Sequence, residues 1–117
     1  GKAAAVVAAA KAVGTPRVKA QSPLLAPARA LFNKINFLDI DAQEWRDAQA
    51  DMNRLDDMIG GSQLTPGEKG IIAGALQNCD IALRGGLAAL KRGAGISRDR
   101  YKQMALSAAR EIMNELQ

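Results

Sequence analysis

Apolar and polar positions alternate with a helical period along most of the chain. The clearest stretch is Thr65–Gly93, where Ile72, Leu76, Cys79, Leu83, Leu87 and Leu90 recur in steps of three or four residues. That spacing draws one stripe on a helix. Thr65, Pro66 and Glu68 form its start: a hydroxyl N-cap, a proline at the first helical position, and a carboxylate three residues after the cap. Lys91 and Arg92 suit its last turn and Gly93 its stop. The spacing predicts a long buried helix over 66–93, around which the other segments pack.

A second capping pattern, Asp41-Ala-Gln-Glu44, opens a helix expected over 41–59. Trp45, Ala48, Met52, Leu55 and Ile59 alternate in steps of three and four, which is a bundle seam. Glu44, Asp47 and Asp51 take the outward face. Gly60-Gly61 stops it, and the loop 60–64 is short enough to make the two helices antiparallel neighbours. Upstream, Pro27 suits a first helical residue, with Leu31, Ile35 and Leu38 on one face and Phe32 beside it. That predicts a helix over 27–39. The last helix is expected over 97–116, with Tyr101, Met104, Ala105, Ala108, Ala109, Ile112, Met113 and Leu116 on its core side.

Before these comes Lys2–Val13, an Ala-rich stretch of high helix propensity. It is marginal alone at this length and would dock through Val6, Val7 and Val13. The breaker-rich connector 14–23 follows. The expected organisation is an arm over 1–21, suited to assembly with another chain, and a bundle domain over 22–117. No strand-like alternation of useful length occurs. The fold class is all-α: an up-and-down helical bundle of four main helices plus the Ala-rich N-terminal helix.

Composition sharpens the functional side. The chain of 117 residues has no His and one cysteine. The commonest general base and metal ligand are therefore missing, and no internal disulfide or Cys-based zinc site can form. A lone thiol suits a reducing compartment, which favours an intracellular protein. No stretch is long and apolar enough for a membrane span. No carboxylate spacing matches a calcium loop, and no cofactor or metal is expected. Cys79 lies on the central stripe and reads as a small buried hydrophobe. Trp45, the single Trp, reads as core.

Charge is unevenly placed. Residues 1–38 carry six bases and no acid, while residues 39–59 carry seven acids against Arg46 and Arg54. The simplest expectation is that these segments neutralise each other within the fold. The basic residues Arg84, Lys91, Arg92, Arg98, Arg100 and Lys102 gather around the last interhelical turn. Arg98 and Arg100 fall in the first turn of a helix expected to start at Ser97. Acids are favoured there, so the two arginines suggest an anion, a phosphate or a carboxylate, bound at that helix start. On that reading, Arg98→Glu with Arg100→Glu should slightly stabilise the free protein. Should these arginines pair internally instead, the acidic Asp47–Asp57 face is the expected partner.

Five glycines, Gly67, Gly70, Gly74, Gly85 and Gly86, lie inside the central helix. Gly70 and Gly74 share a face, which suggests close approach of a neighbouring helix. Gly85-Gly86 is expected to kink the helix at most, because the stripe resumes in register at Leu87. The stretch matches no phosphate-binding glycine motif. Leu90–Met104 is a poor helix-turn-helix, since Lys91 stands where a small residue is needed and the first helix is far too long. The leading expectation is a non-enzymatic protein-interaction or assembly module, with a protein partner or self-association. The alternative is nucleic-acid binding through the basic cluster.

Overall fold

The structure is a computed structural model. It describes residues 23–117 and, before them, only the backbone of Ala9–Ala10 (β1) and Ala12–Val13 (β2), which pair antiparallel. The Ala-rich helix expected over Lys2–Val13, with Val6 and Val7, lies outside the described residues except at those four positions. There the backbone is extended rather than helical. A short Ala-rich helix has little stability of its own.

From residue 23 onward the regular structure is entirely helical: α1 Leu25–Asn36, α2 Ala42–Gly60, α3 Pro66–Lys91 and α4 Gly95–Leu116. α1 begins two residues before the expected Pro27. Proline fits as its third residue because the first four N–H groups of a helix have no internal partner. The first helical bond runs from the Ala28 N–H to the Leu24 carbonyl at 3.0 Å. α1 also ends three residues early. Phe37 and Leu38 donate to Lys34 and Ile35, each three residues back, a tightening typical of a terminal turn.

The α3 capping box forms in full: the Thr65 N–H donates to Glu68 Oε1 at 3.0 Å and the Glu68 N–H to Thr65 Oγ1 at 3.1 Å. At α2 the Asp41 carboxylate accepts from the Gln43 N–H at 2.9 Å, so the cap bond reaches a different residue from the expected Glu44. α3 runs unbroken through Gly85-Gly86. It ends at Lys91, two residues before the expected Gly93, which is the one positive-φ glycine among the described residues, at φ 74°. The Ala94 N–H reaches the Ala89 carbonyl at 2.8 Å and the Gly93 N–H the Leu90 carbonyl at 3.1 Å. These two bonds satisfy carbonyls the helix end would leave open, and only a residue tolerating positive φ can form them cheaply.

The helices pack α3 on α4, α2 on α3 and α1 on α4, with a smaller α1–α2 contact. Contacts between their ends make these neighbours antiparallel. Trp45 at the start of α2 meets Gly86 near the end of α3, while Lys69 at the start of α3 donates to the Gly60 carbonyl at the end of α2. Arg98 at the start of α4 faces Asp39 after α1, and Arg110 lies 5.3 Å over the Phe32 ring within α1.

The α2 seam is buried at every expected position: Trp45, Ala48, Met52, Leu55 and Ile59. Two other stripes shift. In α3 the buried set turns to Ala82, Leu83, Gly86 and Ala89, leaving Leu87 and Leu90 half-buried. In α4 Leu106 is buried, whereas Met104 is 50% exposed. The α3 shift follows from the neighbour this helix meets. α3 meets the large Trp45 ring through its smallest residue, so its seam rotates toward Gly86.

Gly70 and Gly74, expected to face a neighbouring helix, are exposed, and a Cβ added at either would meet nothing within 4 Å. The close approach is at the other glycine pair. A Cβ on Gly86 would lie 2.1 Å from the Trp45 ring, and one on Gly85 would lie 2.4 Å from the Tyr101 ring.

Candidate functional site

Antiparallel packing brings the 37–41 connection and the α3–α4 turn to one end of the molecule. The basic cluster lies here or just below, and its members differ in environment. Arg84 sits about two helical turns below the α3–α4 turn and pairs with Asp80 at 3.1 Å. Arg98 is only 20% exposed in its side chain, lies 3.2 Å from Asp99 and reaches toward Asp39 at 4.0 Å. Lys91, Arg92 and Arg100 are exposed and Lys102 is half-buried. Among the described residues none of these four has an acidic partner within ion-pair distance.

α4 starts at Gly95 rather than Ser97, so Arg98 closes its first turn and Arg100 lies within the second. The macrodipole fades over one turn, which reduces the expected conflict at Arg100. Arg98 does pair internally, but with Asp39 and Asp99, not with the Asp47–Asp57 face. The expected effect of substitution changes accordingly. Arg98→Glu would set a third carboxylate beside two others and should lower stability by about 0.5–1 kcal/mol, with both acids well exposed and screened. Arg100→Glu should stay within about 0.5 kcal/mol of wild type. Separate thermal melts of the two variants check this; equal shifts would remove the distinction.

The acidic segment is partly neutralised from inside, as charge placement suggests. Asp51 pairs with Lys34 of α1 and Arg54 of α2. Asp51 is accordingly half-buried rather than fully outward, while Glu44 and Asp47 remain exposed.

The same end presents three large apolar side chains to solvent: Phe37 at 78%, Ile40 at 70% and Ile96 at 78% exposed. Periodicity does not single them out, because they belong to no helical stripe. Phe37 caps α1, Ile40 sits in the short connection and Ile96 is the second residue of α4. Their signal is position: large apolar residues in a tight connection cannot all reach the core. The connection itself is held firmly. Trp45 Nε1 donates to the Asp39 carbonyl at 2.8 Å, and Leu38 is buried between Phe37 and Asp39.

Elsewhere the surface offers little chemistry. A shallow groove between α3 and α4 is lined by Asn78, Ile81, Met104, Ser107, Ala108 and Glu111. Among the described residues no group of three or more His, Cys, Asp or Glu could hold a metal, and no helix is long and apolar enough to cross a membrane. No charged side chain is buried among them.

Cys79 is fully buried. Burial, with a smaller push from the neighbouring Asp80 carboxylate, raises its thiol from 9.0 to about 12. The native state then keeps this proton where the unfolded chain has released it. The stability tied to this thiol is complete below about pH 9 and is lost as pH rises toward 12. The slope approaches about 1.4 kcal/mol per pH unit. Urea melts of wild type and Cys79→Ala across that range should therefore converge as pH rises, because only wild type carries the group. Parallel profiles would refute the burial argument. A thiol reagent at neutral pH should label Cys79 only after denaturation.

Comparison with known proteins finds no matching protein-family model, no matching curated protein and no matching solved structure.

Proposed function

We propose that this chain is a non-enzymatic protein-interaction module: an up-and-down bundle whose Phe37–Ile40–Ile96 end docks onto another protein surface. The observation that supports this reading is the three large apolar residues, each at least 70% exposed, gathered at one end of a well-packed core. Exposed apolar clusters rimmed by charge are the usual mark of an interaction surface. Burying each of these side chains on a partner is worth roughly 1.5–3 kcal/mol before the costs of association. Arg and Phe are also enriched at interface centres, and Arg92, Arg98 and Arg100 stand on adjoining elements.

A photo-crosslinking residue in place of Ile40 tests the reading in an extract of the source cells. It should capture a discrete protein, and capture should disappear when Phe37→Ser and Ile96→Ser are added. The same residue in place of exposed Asn53 should capture nothing. Equal capture at both positions, or capture insensitive to the serine changes, overturns the proposal.

The alternative, phosphate contact, is supported by the four cations Lys91, Arg92, Arg100 and Lys102 that no described acid neutralises. The acids Asp39, Asp41, Glu44 and Asp47 on the facing connection and helix work against it. Nucleic-acid binding by this surface would weaken steeply with salt, so one titration at two salt concentrations separates the readings.

A further inference from the structure

The charges around the exposed apolar end are sorted by side. The connection between α1 and α2 and the start of α2 carry Asp39, Asp41, Glu44 and Asp47 against a single base, Arg46. The opposite side, the α3–α4 turn and the start of α4, carries Lys91, Arg92, Arg98 and Arg100 against a single acid, Asp99. Phe37 and Ile40 stand on the acidic side and Ile96 on the basic side. The two sides adjoin, since Arg98 already reaches toward Asp39 within one copy.

A surface with an acidic half, a basic half and apolar residues on both is complementary to itself. A two-fold rotation about an in-plane axis along the boundary sets the basic half of one copy on the acidic half of the other, twice. It also sets Ile96 of each copy on the side that carries Phe37 and Ile40 of the other. This is the symmetry that closed homodimers use most. A foreign acidic or basic partner would match only one half and oppose the other. From this sorting we infer that the occupant of the end is a second copy of this chain, in a two-fold, end-to-end dimer. The inference rests on the docking reading above and names the partner.

Size sets the expected strength. The end of a four-helix arrangement is about two helix diameters across, roughly 20 Å. Contact therefore covers on the order of 400 Å² per copy, or about 800 Å² in total, just under the roughly 1,000 Å² total at which specific association becomes robust. A contact of that size makes a weak dimer.

Sedimentation equilibrium of the full chain is the test. The average mass should rise from 12.4 kDa toward twice that value as concentration increases, and half-molar salt should reduce the rise. Two exposed-charge variants follow. Arg92→Glu with Arg100→Glu makes the basic half acidic, and Glu44→Lys with Asp47→Lys makes the acidic half basic. Each alone should stay monomeric, because both repeated contacts become repulsive. An equimolar mixture should form a one-to-one heterodimer, because both contacts are then attractive; this rescue also shows that each variant is folded. A wild type that stays monomeric throughout, variants that dimerise as well as wild type, or a mixture that stays monomeric would each overturn the dimer. Discrete capture of a different protein at position 40 with a monomeric wild type overturns the dimer while leaving the docking reading standing.

Discussion

Replacing Trp45 with alanine should lower the unfolding free energy by about 3–5 kcal/mol, the range for deleting a large buried aromatic. Trp45 has no exposed surface. Its ring fills the space above Gly86, and its Nε1 holds the Asp39 carbonyl at 2.8 Å. The truncation thus opens a cavity between α2 and α3 and frees the connection that presents Ile40. A domain of this size has about 5–15 kcal/mol in total, so a large share of its stability is at stake. Trp45→Phe separates the two contributions. It keeps most of the ring and loses the hydrogen bond, for an expected loss nearer 1–2 kcal/mol. Urea melts followed by circular dichroism serve for all variants. A loss under about 1 kcal/mol for Trp45→Ala would mean that the α2–α3 seam is loosely packed.

The second large effect is a change of sign among glycines of a single helix. Every interior glycine of α3 gives up about 0.8–1 kcal/mol of helix propensity relative to alanine. Gly70 and Gly74 face open space, so Gly70→Ala and Gly74→Ala should each recover about that amount. At Gly86 the added carbon would lie 2.1 and 2.5 Å from two Trp45 ring atoms, with no exposed route for the ring to leave. Overpacking of this kind costs about 1–3 kcal/mol and outweighs the propensity gain. Gly85→Ala falls between, because the Tyr101 ring it meets is only half-buried and can swing. The proof of cause is coupling: in a Trp45→Ala background, Gly86→Ala should turn neutral or stabilising. If Gly86→Ala stays equally harmful without the tryptophan, the ring is not the reason for the glycine.

Much of the helical framework behind these effects is legible in the amino-acid sequence. The starts of α2 and α3 follow from side chains bonding to backbone groups two or three residues away. Asp41, Thr65, Pro66 and Glu68 act within one turn and need no distant partner. The α2 seam is equally legible, since five strongly apolar or small positions at alternating spacing leave a single way to face a core. Gly93 as a stop is local as well, a matter of one backbone angle. Cys79 is readable as core from its place on a stripe.

What stays hidden in the sequence depends on pairs of helices. Gly70, Gly74, Gly85 and Gly86 have similar sequence surroundings. Only Gly85 and Gly86 touch rings, because rotation about the helix axis is set by what α2 and α4 bring against α3. The same kind of rotation in α4 buries Leu106 and exposes Met104, two residues with nearly equal claim to the core. Arg98 at a helix start suggests an anion ligand; its actual neighbours are Asp99 beside it and Asp39, far away in sequence. The gathering of Phe37, Ile40 and Ile96 at one end, with acids on one side and bases on the other, depends on which helix ends meet. By itself the sequence determined that helices form from residue 25 onward, the starts of α2 and α3 and most of the buried faces, because those follow from bonds and periodicities within a few residues. The tertiary structure alone decided which small residues receive a ring, which charges find partners and which large apolar residues stay exposed. Those depend on distances between segments that no local spacing encodes.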